Sequence, residues 1–245
     1  MPKSKGDMPI LFEDKDILCI LKPTGISVHH DGKTNEETVT DWLIKKYPKI
    51  KKVGEPLVLS DGTEVLRPGI VHRLDKETSG ALLVAKTQEA YEHLKAQFQE
   101  RQIRKTYYAF VYGTLREERG MIDKPIGRAI GSIRKWATGT RTRGELRDAL
   151  TRFKVVGRGE GCSLAEVWPQ TGRTHQIRVH MQAIGHPIVA DSLYAPTKES
   201  VFGFKRLALH ASRIVFTDLK GKSQEVLAPF PADFESAIKA IGAKI

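Results

Sequence analysis

The chain has little cysteine and no long apolar run. Its 245 residues hold two cysteines, Cys19 and Cys162, set far apart in apolar strand-like runs, which predicts two buried thiols rather than a disulfide framework. No stretch approaches the roughly 18 consecutive apolar residues of a membrane-spanning helix. Residues 1–7 are polar and lack the apolar centre of a signal peptide. A glycine-rich phosphate loop, a dinucleotide fingerprint and a serine elbow are all missing, so nucleotide hydrolysis, hydride transfer and ester hydrolysis lose their usual marks. Metal-ligand spacing is missing as well: His29 and His30 stand alone, and His175 and His180 are five apart where a zinc-binding helix uses four. The expectation is a cytoplasmic protein that binds no metal and no cofactor. With no low-complexity stretch or internal repeat, the chain reads as a flexible tail over residues 1–8 and a single catalytic-sized domain over residues 9–245.

Acidic residues are also in short supply. Forty Lys and Arg against 29 Asp and Glu give a formal charge of +11, and the pI is near 9.6. Such a balance favours a polyanionic partner, whether RNA, DNA or an anionic membrane surface.

Residues 10–12 and 17–21 read as a strand pair ending on Lys22-Pro23-Thr24-Gly25. Thr34 with Glu37 three residues on has the form of a capping box, after which Val39, Trp42 and Leu43 make one helical face that Pro48 stops. Tyr91, Leu94 and Phe98 predict a second amphipathic helix. Residues 105–113 alternate as a strand, with Tyr107, Ala109 and Val111 on one face and Tyr108, Phe110 and Tyr112 on the other. Residues 120–147 are rich in Gly and Arg, with Arg128, Arg134, Lys135, Arg141, Arg143 and Arg147 around Trp136. That stretch is either a mobile solvated loop or an RNA-contacting one, and an aromatic among arginines tilts the balance to RNA. Further strands are expected at residues 151–156 and 162–168, and late strands around 207–209 and 214–216. Ile177, Met181 and Ile184 share one face of a helix that Gly185 can end, while His175, Arg178 and Gln182 lie on a different face, free to meet another element. Residues 232–241 read as a closing helix.

Residues 72–80, His72-Arg73-Leu74-Asp75-Lys76-Glu77-Thr78-Ser79-Gly80, place a carboxylate among basic and hydroxyl groups between two apolar runs, and so on a loop between two buried strands. Asp75 is then either a turn residue paired to Arg73 or a reactive group held for aiming. Together with a strand tyrosine and a helix arginine it would make a nucleophile or base, a phenol for proton transfer and a cation that keeps the carboxylate ionised.

The string HRLDKETSG resembles the signature of the RluA-type RNA pseudouridine synthases, His-Arg-Leu-Asp, two variable residues, then Thr-Ser-Gly. Four further matches stand in that family's order: Lys22-Pro23-x-Gly25, Lys105-x-Tyr107-x-Ala109-x-Val111-x-Gly113, residues 172–180 (GRTHQIRVH), and Arg206-Leu207-x-Leu209-His210-Ala211. His72 before Arg-Leu-Asp, where RsuA-type enzymes have Gly, is similar to the RluA type. The small S4 RNA-binding domain that many relatives carry in front is not seen, so RNA affinity is expected from the basic surface of the core itself.

This resemblance implies an α+β fold with a mixed, largely antiparallel sheet, flanking helices and a central catalytic cleft. It implies that uridine in rRNA and/or tRNA is isomerised to pseudouridine: the N-glycosidic bond breaks, the base turns, and it is rejoined through carbon. Asp75 would be the catalytic carboxylate, Tyr107 would stack near the uracil and move a proton, and Arg178 would pair with Asp75. Arg73 would fill the space of a flipped base or contact a phosphate. Leu209 would floor the base pocket and Lys22 would brace the loop, with Arg128 and Arg134 as further RNA contacts and a monomer expected. The alternatives are a catalytically silent RNA-binding or ribosome-assembly module on the same fold, and a metal-dependent nuclease, for which the chain shows no cluster of carboxylates.

Overall fold

The computed structural model describes residues 7–30, 34–58, 62, 64–159 and 161–245. Residues 1–6 of the expected tail lie outside the described residues, and Met8 is already buried. The elements begin with β1 (Ile10–Glu13), β2 (Ile17–Lys22), α1 (Val39–Lys46), β3 (Leu57–Val58), β4 (Glu64–Val65), β5 (Ser79–Ala85) and α2 (Gln88–Gln99). Next come β6 (Arg104–Tyr112), β7 (Arg119–Asp123), β8 (Ile126–Ala129), β9 (Trp136–Thr138), β10 (Thr142–Arg147), β11 (Leu150–Gly159) and β12 (Cys162–Pro169). α3 (Gln176–Ala183), β13 (Leu209–Thr217), β14 (Ser223–Leu227) and α4 (Ala232–Ala240) complete the described residues. The architecture is α+β with largely antiparallel strand pairing, as the sequence predicts. The chain forms two compact units, Met1–Arg104 with Arg213–Ala228, and Lys105–Ser212 with Pro229–Ile245.

In the first unit β2 lies between β1 and β5, antiparallel to both, with Lys22 opposite Gly80. Ile17, Leu18, Cys19 and Ile20 face Leu82, Leu83 and Val84 in a core with no solvent exposure, because both strands are apolar over this stretch. α2 covers this unit with Ala90, Tyr91 and Leu94. Its Gln97 is buried and exchanges two hydrogen bonds with the Thr217 backbone, 2.8 and 2.9 Å, which ties the helix to β13. Two expectations shift here. The cap of α1 is Thr38 with Asp41, not Thr34 with Glu37: the Asp41 carboxylate accepts the Thr38 N–H and hydroxyl, each at 2.8 Å, directly before the apolar face. Ahead of the polar run there is no full strand, only a single bridge from Ile70 to Val84. The reason is the Arg67-Pro68-Gly69 turn, in which Gly69 has φ +69° and a Cβ would collide with the Ala85 carbonyl oxygen.

In the second unit β6, β12, β11 and β7 pair antiparallel in that order. The alternation of β6 is as expected: Tyr108 packs edge-on against Phe230 at 5.1 Å, and Phe110 meets Phe202, Phe204 and Phe234 at 5.2–5.6 Å. Arg206 grips Asp233 of α4 with two hydrogen bonds of 2.7 Å, which accounts for the first residue of the Arg-Leu-x-Leu-His-Ala string. The Gly/Arg-rich stretch is folded rather than a loop. β8 runs between β9 and β10 in a three-stranded antiparallel ribbon, with Gly131 and Gly139 supplying positive φ at its turns. The two late strands are one, β13, because polar His210 and Ser212 are buried in it; the Ser212 hydroxyl donates to the Thr106 carbonyl at 3.2 Å. β14 had no signal in the sequence, being five residues long and mostly polar. Both cysteines are buried thiols outside any disulfide, as expected, and burial pushes the Cys19 thiol up to about 12.

Phe110 has no exposure and holds the ring cluster together. Phe110→Ala is expected to cost about 3–5 kcal/mol in urea denaturation, and a cost under about 1 kcal/mol would show that the site collapses around the loss.

Candidate active site

The Asp75 loop is built by two turns locked to each other. Asp75, half-buried, opens a turn in which its carbonyl accepts the Thr78 N–H at 3.1 Å, so its backbone is that of a turn residue. The second turn follows β2, and Gly25 at φ +85° lets it fold back. From it, the Gly25 N–H donates to the Lys76 carbonyl and the Thr24 hydroxyl to the Glu77 carbonyl, both at 2.8 Å. Lys22 has no solvent exposure, and its Nζ donates to the carbonyls of Pro23, Ile26 and Lys76 at 2.8, 2.9 and 3.2 Å. An ammonium has three donors in a fan, and three backbone acceptors from two turns converge on it. The backbone on either side of the carboxylate is thereby fixed.

Neighbouring side chains set the rest of the loop. His72 accepts the Leu83 N–H at 2.9 Å and stacks on Phe98 at 4.9 Å. Thr78 is buried, and its hydroxyl has no hydrogen-bond partner among the described residues. Arg73 is exposed, with one terminal nitrogen 3.3 Å from His29 Nε2. His29 Nδ1 lies 2.8 Å from the His30 carbonyl, which can only accept, so Nδ1 carries the proton and Nε2 is left to accept from Arg73. Burial pushes the His29 pKa down, which favours that neutral form.

The second unit carries the other expected residues. Tyr107 is buried on β6 opposite Val167. Lys105 lies two positions earlier on the same face of the strand, and burial pushes its ammonium down to about 8. Leu209 is buried at the start of β13. Arg178 is buried on α3, and its Nε and Nη2 donate to Asp191 Oδ2 and Oδ1, each at 2.8 Å. Asp191 Oδ1 also accepts the N–H groups of Leu193 and Tyr194 at 3.0 and 2.9 Å. Arg128 and Arg134 are exposed on the ribbon, and the Arg128 guanidinium sits 4.3 Å over the Trp136 ring. Asp75, Arg73 and Lys22 therefore belong to one unit, and Tyr107, Arg178, Leu209, Arg128 and Arg134 to the other. Among the described residues no group of three or more His, Cys, Asp or Glu is placed to hold a metal ion.

A family model described as RNA pseudouridylate synthase matches residues 16–183, a span that holds Lys22, Asp75, Tyr107 and Arg178. The chain belongs to the RNA pseudouridylate synthase family. It is 36% identical over 232 residues to an uncharacterized RNA pseudouridine synthase of Synechocystis, covering 94% of this chain and 68% of that protein. It is 35% identical over 245 residues to the ribosomal large subunit pseudouridine synthase D of Zymomonas mobilis, covering 96% and 74%. Among solved structures, human RNA pseudouridylate synthase domain containing 4 aligns with a TM-score of 0.73 at 25% identity, over 96% of this chain and 94% of that one. The protein is accordingly an isomerase that converts uridine in RNA to pseudouridine. Within this family member the sequence reading did not single out Asp191, Tyr194 or the contact of His29 with Arg73. An acid directly after the apolar run Ile188-Val189-Ala190 was the available hint, since such an acid is buried only with a partner.

Two measurements test the site's electrostatics. Lys22→Met keeps the stem but removes three hydrogen bonds; it is expected to cost about 2–4 kcal/mol in urea denaturation, and an unchanged midpoint would show that the clamp is dispensable. For Lys105 the folded value of about 8 lies below the ordinary 10.5. The unfolded chain then binds the extra proton between those values, so stability rises with pH across that window. Lys105→Met should abolish that rise, and an identical slope in wild type and variant would assign it to another group.

Proposed function

We propose that Asp75 is the catalytic carboxylate of the isomerisation, with Tyr107 and Arg178 as its phenol and its cation. The observation that carries this reading is the Lys22 clamp: six residues of two turns are spent on fixing the backbone of one half-buried aspartate. Isomerisation balances without a co-reactant, because the ribose carbon leaves a ring nitrogen and bonds a ring carbon, and the proton that carbon loses is made up at the nitrogen. A carboxylate at the ribose and a proton-transfer group at the base are then sufficient. Arg73 is proposed to occupy the space of the extruded base, which costs a few kcal/mol to unstack. Leu209 is proposed to floor the base pocket, and Lys22 to brace the loop.

The ribbon with Arg128 and Arg134 is the proposed RNA-docking surface, since it offers exposed guanidinium groups beside a half-buried aromatic. Its substrates are proposed to be rRNA and/or tRNA. The Zymomonas mobilis relative carries the name of a ribosomal large subunit enzyme, which makes large-subunit rRNA the first to test. The protein is taken to act as a monomer in the cytoplasm.

The test is incubation of purified protein with unmodified rRNA and tRNA transcripts, followed by chemical-adduct mapping of pseudouridine in reverse transcription. New stops at one or a few uridines are expected for the wild type. Asp75→Asn should lose them while retaining filter-bound RNA, and the same map from both proteins would overturn the assignment.

A further inference from the structure

In the second unit the basic ribbon and Arg178 are joined through one side chain. The Tyr194 ring lies 5.1 Å from the Arg178 guanidinium, and its backbone N–H donates to the Asp191 oxygen that also accepts Arg178 Nη2. Its hydroxyl accepts the Trp136 N–H of β9 at 3.0 Å and lies 3.0 Å from His175 Nδ1. His175 is the residue before α3, and it is held at φ +55°, a left-handed backbone that is uncommon outside glycine. Ile126 of β8, Ala149, Val179 of α3 and Tyr194 form one buried apolar cluster, with Trp136 and Leu193 packed on it. From Arg128 over Trp136, the contacts thus run through Tyr194 to the first turn of α3 and its arginine.

We propose that Tyr194 is a positioning residue that couples RNA docking on the ribbon to the orientation of Arg178. This rests on the reading that Arg178 serves the reaction. The physical reasoning concerns geometry rather than affinity. Arg178 is held by Asp191 at Nε and Nη2, so its plane follows the backbone of residues 191–194, and that backbone follows where the Tyr194 hydroxyl is anchored. The anchors are a ribbon strand and a strained helix start. RNA lying on the ribbon restrains β9 and hence the anchor. Binding energy from contacts remote from the reacting base is in this way converted into alignment at the site, which appears in turnover and not in binding.

Tyr194→Phe removes the hydroxyl and keeps the ring, so the apolar cluster and the packing on Arg178 remain. Single-turnover rates are measured on saturating unmodified rRNA or tRNA transcript that carries the mapped uridine, beside filter binding and thermal melting of each variant. Tyr194→Phe is expected to lower the single-turnover rate about tenfold with RNA retention and melting temperature unchanged. His175→Asn, which tolerates the left-handed backbone but lacks the ring, should act in the same direction. Arg128→Ala should weaken RNA retention and, because the restraint on β9 is lost with the contact, lower the saturated rate as well. A wild-type rate in Tyr194→Phe, or a loss that tracks RNA retention or melting temperature, overturns the coupling. The catalytic reading fails separately, through an Arg178→Ala protein that still turns over.

Discussion

The ammonium of Lys22 is the constraint on which the Asp75 loop depends. A fully buried lysine is uncommon, because removing an unpaired charge from water costs more than any local packing returns. Here the charge is met by backbone carbonyls from two turns that are about fifty residues apart in sequence. The Lys76 carbonyl also accepts the Gly25 N–H, so cation and backbone meet on one acceptor. The cation and the two turns therefore stabilise one another, and the position of the aspartate follows from backbone groups whose geometry no neighbouring side chain can alter.

Arg178 faces the same problem with a different solution. Its partner is a buried carboxylate, and buried ion pairs are weak contributors to stability unless further hydrogen bonds satisfy the remaining lone pairs. Asp191 receives two such bonds from the backbone two and three residues on. The pair is thereby a device for direction, since a guanidinium gripped at two nitrogens has a fixed plane that a lysine would not have. The ribbon carries the third kind of cation, exposed arginines in water, where charge is inexpensive and adaptable. On the proposed reading the three kinds divide the work: one shapes the loop, one is aimed, and several hold a polyanion.

What was legible in the sequence follows from which interactions leave a pattern. The helix marked by Tyr91 and Leu94 and the alternating strand that carries Tyr107 are set by apolar periodicity, so both were readable. The motif resemblance gave the family and the class of reaction. The capping box was misplaced by one turn because two Thr-x-x-acid patterns follow one another directly, and only the one next to the apolar face captures the helix. The Gly/Arg stretch hid three strands because β8 and β9 are only four and three residues long and β10 is almost wholly exposed, so none shows the alternation that marks a half-buried strand. β13 was divided in two because His210 and Ser212 look like a break, yet find partners inside. The hydrogen bonds of Lys22, and separately those of Asp191 and Tyr194, could not be read partner by partner, since many of those partners are backbone groups, which every residue carries alike.

The two thiols have a practical consequence. Cys19 and Cys162 are sealed within strands, and the first is held far from thiolate at any ordinary pH. The native protein is therefore silent toward maleimides and other sulfur-directed reagents. A single cysteine introduced at an exposed ribbon position such as Ile133 would carry a fluorophore or spin label without background. The wild-type chain, with both thiols sealed, already serves as its own unlabelled reference, so the ribbon's approach to RNA can be followed by spectroscopy without first re-engineering the core.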